Sequence, residues 1–346
     1  MSLKKISHSI FLLFFLALII TLGGGFFLFQ RHLNTPLSLS KPHTLSIKRG
    51  DTLKQTLDKL EREQILQHTR LLYLYARWLK RTSIRTGEYL IEPQDTPKIM
   101  LDKLITGKVR TEQFTIVEGQ NRWIIRNSLA AAAWMTVTEF DHLCDDQNFL
   151  KQNDIPGPTC EGYLFPETYT IARGLSAKAI FKVMFQMFHN VYREITHVGT
   201  GPLQFTPRQL VTLASIVEKE TGAPEERPRI ACVFYNRLKA KPAWRLETDP
   251  TSIYAATIAD PNFNGNLKRK HLRDFKHPYN TYHIYGLPPG PIANPGKAAL
   301  KAVVAPSNCN DFFFVSMNNG RHFFCPTLSC HNKAVAAWQL HNRGMR

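Results

Sequence analysis

"TPRQLVTLASIVEKETG", residues 206–222, carries its own punctuation. Thr206 suits a helix cap, Pro207 the first helical position, and Gln209 completes a Thr-x-x-Gln capping box. Gly222 supplies the stop. Between them Leu210, Leu213, Ala214 and Val217 form one face, and Val211 and Ile216 extend it on either side. Little is polar before Glu218, so the spacing predicts a helix buried in a sizeable core. Two carboxylates then stand at its end, and a carboxylate is costly to bury without a partner. At about 100° per residue, Glu218 falls beside Val211 and Ala214, and Glu220 about 200° away against Leu213 and Ile216. The two therefore cannot act as one close dyad. Glu218 has the small neighbours Ala214 and Ser215, which leave room for something to approach. An apolar surround raises a carboxyl's pKa and makes it a general acid near neutrality. The bland alternative is two ordinary carboxylates paired with lysine or arginine.

The segments that follow are rich in rigid turns. "ERPRIACVFYNRL" (226–238) reads as a further helix carrying Tyr235 and Asn236. "RLETDPTSIYAA" (245–256) combines Glu247, Thr248 and Asp249, and "HPYNTYHIYGLPPGPIANPG" (277–296) is dense in Pro, Gly, Asn and Tyr. Tyr and Asn in shaped loops suit a sugar, which presents flat apolar faces and many hydroxyls. A proline-stiffened structural loop has the same composition.

The chain has 346 residues, 43% apolar and 21% charged, with a formal net charge of +17. That is enough for more than one domain and a sizeable core. The basic residues are spread along the chain without a dense block or base-stacking motif, so an anionic lipid or acidic polymer is favoured over nucleic acid. Residues 10–29, "IFLLFFLALIITLGGGFFLF", are uncharged and long enough for a bilayer core of about 30 Å. No small-x-small cleavage site follows, so an uncleaved anchor is expected over residues 10–30, with a cytoplasmic tail at 1–9 and the rest outside. Cys144, Cys160, Cys232, Cys309, Cys325 and Cys330 make an even count that allows disulfides in such a compartment or stands as six reduced thiols. No CxxC pair or HExxH helix suggests zinc.

Residues 31–42 read as a polar linker. "HTLSIKRGDT", "TLKQTLDKLEREQIL", "TRLLYLYARWLKR" and "IRTGEYLIEP" then predict a β-α-α-β unit within a module at 43–112. "IKRGDTLKQTLDKL" (47–60) and "IEPQDTPKIMLDKL" (91–104) share residues at matched positions, as two strand–turn–helix units would. A larger domain over 113–346 completes an α+β architecture.

Taken together, "EGYLFPETY", "LASIVEKET", "VFYNRL", "TDPTSIYA", "YNTY", "GLPPGPIANPG" and "FFFVSMNNGRHFF" resemble the endolytic murein transglycosylase (YceG-like) family, in its order across about residues 160–325. The resemblance implies a membrane-anchored lyase that cleaves the β-1,4 bond between N-acetylmuramic acid and N-acetylglucosamine in nascent peptidoglycan. It implies 1,6-anhydro ends and termination of strand growth. It also implies a LysM-like N-terminal module, an inner-membrane anchor with a periplasmic domain, and peptidoglycan synthases (penicillin-binding proteins) as partners. No cofactor is implied. The residue after "ASIV", Glu218, is the expected catalytic group. Glu220, Tyr235, Asn236, Glu247, Asp249, Tyr279, Asn280, Thr281 and Tyr282 are the expected substrate-binding residues. "PAWRLETDPT" departs from the family by carrying Glu247 and Thr248 where Gln-Ser is usual.

One carboxyl suffices for that chemistry, because the substrate's own 6-hydroxyl replaces water as nucleophile. A hydrolytic muramidase would instead need a second carboxylate opposite Glu218, Asp249 or Glu247 being the candidates. A non-catalytic wall-binding scaffold is the remaining alternative.

Overall fold

The computed structural model describes residues 3–48, 50–260 and 262–340. Residues 1–2 of the expected tail and 341–346 of the expected larger domain lie outside them. The architecture is a mixture of helices with three two-stranded sheets among the described residues. The chain divides into two compact units. The first runs to Glu112 and takes back Thr170–Leu175, and the second holds Gln113–Tyr169 and the described residues from Ser176 onward.

The first unit begins with helix α1 (Leu3–Asn34), whose stretch Phe14–Asn34 is long and apolar enough to cross a membrane. Strand β1 (His43–Ile47), helices α2 (Leu53–Arg62) and α3 (Thr69–Trp78), strand β2 (Gly87–Ile91) and helix α4 (Pro97–Thr106) follow. β1 and β2 pair antiparallel from His43 opposite Ile91 to Ile47 opposite Gly87. The alternation turns Leu45 and Ile47 inward onto Leu57, Leu60, Leu101 and Leu104. The internal repeat is a repeat of turn chemistry. Asp51 Oδ2 accepts the Lys48 N–H and Asp95 Oδ2 the Glu92 N–H, both at 2.8 Å. Thr52 and Thr96 then cap α2 and α4.

Residues 31–42 do not form a free linker. Leu33 and Leu37 are buried in the same core, and the Leu37 N–H donates to the Asp95 carbonyl at 2.8 Å. Nor is the larger domain continuous from 113. Strand β3 (Thr111–Thr115) pairs with β4 (Thr168–Ala172), and Arg173 returns to the first unit. Its guanidinium meets Glu112 at 2.6 Å, and its carbonyl accepts the Glu88 N–H at 3.3 Å.

In the second unit, α5 (Arg122–Ala131), α6 (Val137–Asp145) and α7 (Gln147–Gln152) precede β4. Then come α8 (Ala177–Thr196), α9 (Pro207–Glu220), α10 (Arg227–Lys239), α11 (Asp249–Ala259), α12 (Arg269–Arg273) and α13 (Lys297–Val304). The hairpin β5 (Phe313–Ser316) and β6 (His322–Cys325) and helix α14 (Leu328–Val335) close it. Phe181, Met184, Phe185 and Phe188 of α8 are buried packing, with Phe181 against Phe140 and Phe149. α9 is buried from Leu210 to Glu218 between α10 and α13, and its capping box is formed. All six cysteines are bonded, as Cys144–Cys160, Cys232–Cys309 and Cys325–Cys330.

Candidate active site

The last turn of α9 delivers its two glutamates into separate polar clusters. Glu218 is buried, but its carboxylate is not in an apolar surround. Oε1 accepts from Arg227 Nη2 at 2.7 Å, and Oε2 accepts the Gly296 N–H at 3.0 Å. Of the two surroundings considered for Glu218, the structure has the ion-paired one, because α10 starts with a buried arginine aimed back at α9. The same Nη2 lies 3.8 Å from Glu118, whose carboxyl is half exposed. Burial, and then the charge of Glu218, push the Glu118 carboxyl above its ordinary value, against the opposing pull of Arg227. A Cβ at 296 would fall 1.8 Å from Glu118 Oε1, so a larger residue there would displace the half-exposed Glu118 side chain. Gly119, at φ +74°, turns the backbone beside Glu218 Cγ.

A fully buried asparagine fixes this cluster. Asn294 Oδ1 accepts the Leu164 N–H at 2.8 Å, and Nδ2 donates to the Gln120 carbonyl at 3.0 Å and to Glu161 Oε1 at 3.1 Å. Its main chain exchanges hydrogen bonds with Gly119 and Gln120, both at 2.9 Å. Ser215 Oγ on α9 accepts the Ile292 N–H at 3.0 Å. The segments "EGYLFPETY", "LASIVEKET" and "GLPPGPIANPG" thus meet around Glu218. Glu161 is itself buried, accepting also from Tyr254 Oη at 3.1 Å and from the Arg122 N–H. Burial pushes its carboxyl up to about 7, although these donors pull it down.

The other cluster belongs to Glu220. Thr248 Oγ1 donates to Glu220 Oε1. Burial pushes the Glu220 carboxyl up to about 7, the Thr248 bond and Arg237 opposing and the charge of Asp249 adding. Asp249, at the first turn of α11, accepts from Tyr282 Oη at 2.7 Å. Thr281 Oγ1 accepts the Thr248 N–H at 3.0 Å and meets Thr251 Oγ1 at 2.8 Å. Glu247, at φ +47°, is exposed and lines a cleft of about 500 Å³ with Trp244, Arg245 and Tyr285.

The geometry therefore sorts the expected binding residues. Glu220, Asp249, Thr281 and Tyr282 come together, with Glu247 adjoining through its N–H to the Thr281 carbonyl at 3.3 Å. Tyr279 stands apart, its ring on Tyr254 and His277. Three others spend their polar atoms internally. Tyr235 Oη donates to the Val303 carbonyl at 2.9 Å, and Asn236 Nδ2 to the Cys309 and Asp311 carbonyls at 3.1 and 2.9 Å. Asn280 is fully buried, accepting from Ser252 Oγ at 2.9 Å and donating to the Phe275 carbonyl at 2.8 Å. Sequence reasoning missed Arg227, Glu118, Glu161 and Asn294 as site members, although Glu161 and Asn294 lie inside quoted motifs.

The chain as a whole is similar to known proteins. The chain is 29% identical to the protein named endolytic murein transglycosylase of Bacillus subtilis (strain 168), covering 90% of this chain and 89% of that one. It is 26% identical to the protein of the same name from Streptococcus pneumoniae serotype 2 (strain D39 / NCTC 7466), covering 94% of this chain and 64% of that one. The crystal structure of a putative YceG-like protein from Listeria monocytogenes is similar at a TM-score of 0.55 and 28% identity, over 85% of this chain and 100% of that one. The YceG-like family profile matches residues 45–337, and the chain belongs to that family.

Proposed function

We propose that the chain is a membrane-anchored endolytic lytic transglycosylase acting on peptidoglycan glycan strands, with Glu218 as acid and then base. The observation that carries this reading is a buried carboxylate oriented through both oxygens, in a chain of this family, whose relatives bear that activity in their names. Burial and the charge of Glu218 favour a proton on Glu118, beside the same guanidinium, and its transfer to Glu218 supplies the acid. Protonated Glu218 gives that proton to the glycosidic oxygen as the bond from the muramic C1 breaks. The ionised carboxylate then takes the proton of the 6-hydroxyl as that oxygen closes onto C1. A 1,6-anhydro end forms, no water is consumed, and Glu218 is again protonated.

Residues 43–112 are read as a LysM-like module and the second unit as the catalytic domain. Residues 10–30 are the single-pass anchor in the inner membrane, with the N-terminus cytoplasmic and the catalytic domain periplasmic. Three disulfides support the oxidising side of that membrane. Nascent strands beside the glycan-polymerising synthases are the expected substrate, and strand termination the expected outcome.

A hydrolytic muramidase is the second reading. The structure groups Asp249 and Glu247 with Glu220 rather than with Glu218, so Glu118 is the carboxylate it would use as its base. Mass spectrometry of murein digests by the detergent-solubilised full chain decides. Anhydro products that vanish in Glu218→Gln support the proposal. Reducing ends that need Glu118 support hydrolysis, and sacculus binding without any product supports a scaffold.

A further inference from the structure

Helix α3 is apolar on two opposite faces. Thr69, Leu72 and Ala76 are buried in the first unit's core. On the other side Leu71, Leu74 and Trp78, at i, i+3 and i+7, form one stripe that is 45%, 57% and 78% exposed. A surface helix normally turns charge outward there. Here the cations flank the stripe instead. Arg70 and Arg77 run along one side, and Lys80 and Arg81 follow the end of the helix, all exposed.

Two ring contacts give α3 its direction. His68, just before the helix, packs on His32 of α1 with centroids 5.3 Å apart, and Tyr75 packs on Phe29 at 5.8 Å. Moving along α3 is therefore moving back down α1, toward its apolar exposed stretch. Packing on α1 begins at Phe29, the last residue of the uncharged run 10–29. Trp78 stacks on Tyr75 with centroids 6.4 Å apart, and so lies at or past the level of that residue. The headgroup region beyond each face of the hydrocarbon core is about 5–8 Å deep, about one helical turn. Next to Tyr75, Leu79 and Arg81 line a cleft of about 470 Å³ whose wall adds Lys98, Ile99, Lys108 and Asp102, the last within 4.0 Å of Arg81 and 3.8 Å of Lys108, so the cations there outnumber the one carboxylate they share.

We propose that the C-terminal half of α3 is a second membrane contact. Leu74, Trp78 and Leu79 enter the headgroup layer of the bilayer that α1 crosses, while Arg77, Lys80, Arg81 and the cleft lysines meet anionic phospholipid headgroups. The proposal rests on the reading of α1 as a membrane span. Its support is an outward apolar stripe continuous with α1, an aromatic pair at the depth where such rings gather, and cations of the sign that anionic lipid attracts.

The test uses the full chain in vesicles of phosphatidylcholine and phosphatidylglycerol, with and without shallow brominated lipid. The emission of Trp78 is taken as the difference between wild type and Trp78→Phe. Brominated lipid should quench that difference at least about twofold, and aqueous iodide should leave it nearly unchanged. Leu74→Glu, exposed and hence neutral to folding, should reverse both results. Alkali extraction of the same vesicles separates the two readings. A chain that resists extraction while Trp78 is quenched by iodide, or by neither agent, keeps the span and overturns the second contact. A chain that is extracted fails the span and the contact together.

Discussion

Glu218 and Glu118 address the same nitrogen of Arg227, one at 2.7 Å from the buried side and the other at 3.8 Å from the exposed side. The cluster therefore has one inner carboxylate with both oxygens committed and one outer carboxylate with freedom to move. Their roles should separate on mutation. Glu218→Gln should remove anhydro-product formation by at least about a thousandfold, since it deletes both proton transfers. Glu118→Gln should cost about tenfold in kcat and leave the products anhydro. Product analysis under saturating murein checks both. Full activity in Glu218→Gln would place the chemistry elsewhere.

Arg227 holds the inner carboxylate, so Arg227→Leu leaves Glu218 buried with only the Gly296 N–H. Removing one member of a buried pair costs about 3–5 kcal/mol. Denaturant unfolding should show that loss, and Arg227→Leu combined with Glu218→Leu should recover part of it. No recovery in the double variant would mean that the two do not act as a pair.

Asn294→Ala should be nearly as costly without removing a charged side chain. It strands the buried Leu164 N–H and removes a donor from Glu161, together about 3 kcal/mol. A change under about 1 kcal/mol in the unfolding free energy would contradict the network.

Glu161 predicts a pH dependence of stability. Its carboxyl is held at about 7 in the fold against an ordinary 4.5. Between these values the unfolded chain releases a proton that the folded chain keeps, so stability falls as pH rises through this window and then levels. The full span is on the order of 3 kcal/mol. Glu220, raised to about 7 as well, adds to the same slope. Unfolding midpoints measured from pH 4.5 to 7.5 should therefore decline, and Glu161→Gln should flatten the decline. An unchanged slope would exclude Glu161 as a source.

Cys144–Cys160 closes a loop of 16 residues and Cys232–Cys309 one of 77. Loop-closure entropy gives about 3 and about 4.5 kcal/mol respectively. Paired Cys→Ser variants should lose stability in that order, and an unaffected Cys232→Ser/Cys309→Ser chain would argue that the longer bridge is not formed.

Much of this arrangement is legible in the residues because it is local. Thr206, Gln209 and the Asp51 and Asp95 turns act within four residues of themselves, and the division of Glu218 from Glu220 follows from helical periodicity alone. What stayed hidden is long in sequence. Asn294 reaches Gln120 and Glu161, and Arg227 reaches Glu118, across separations that no periodicity encodes. Tyr235, Asn236 and Asn280 read as sugar ligands by type, yet their polar atoms answer backbone carbonyls that only the folded chain brings near. Leu33 and Leu37 escaped notice because the scattered leucines of a polar stretch, Leu33, Leu37 and Leu39, carry no sustained pattern.

Those two leucines have a consequence for biogenesis. The core of the first unit is completed by residues from the exit of α1. An export machine that held that helix back would also withhold two keystones of the module. On the proposed reading of α1 as an anchor, insertion and folding meet in a single checkpoint, and a chain clipped just past Asn34 would surrender Leu33 and loosen the module it leaves behind.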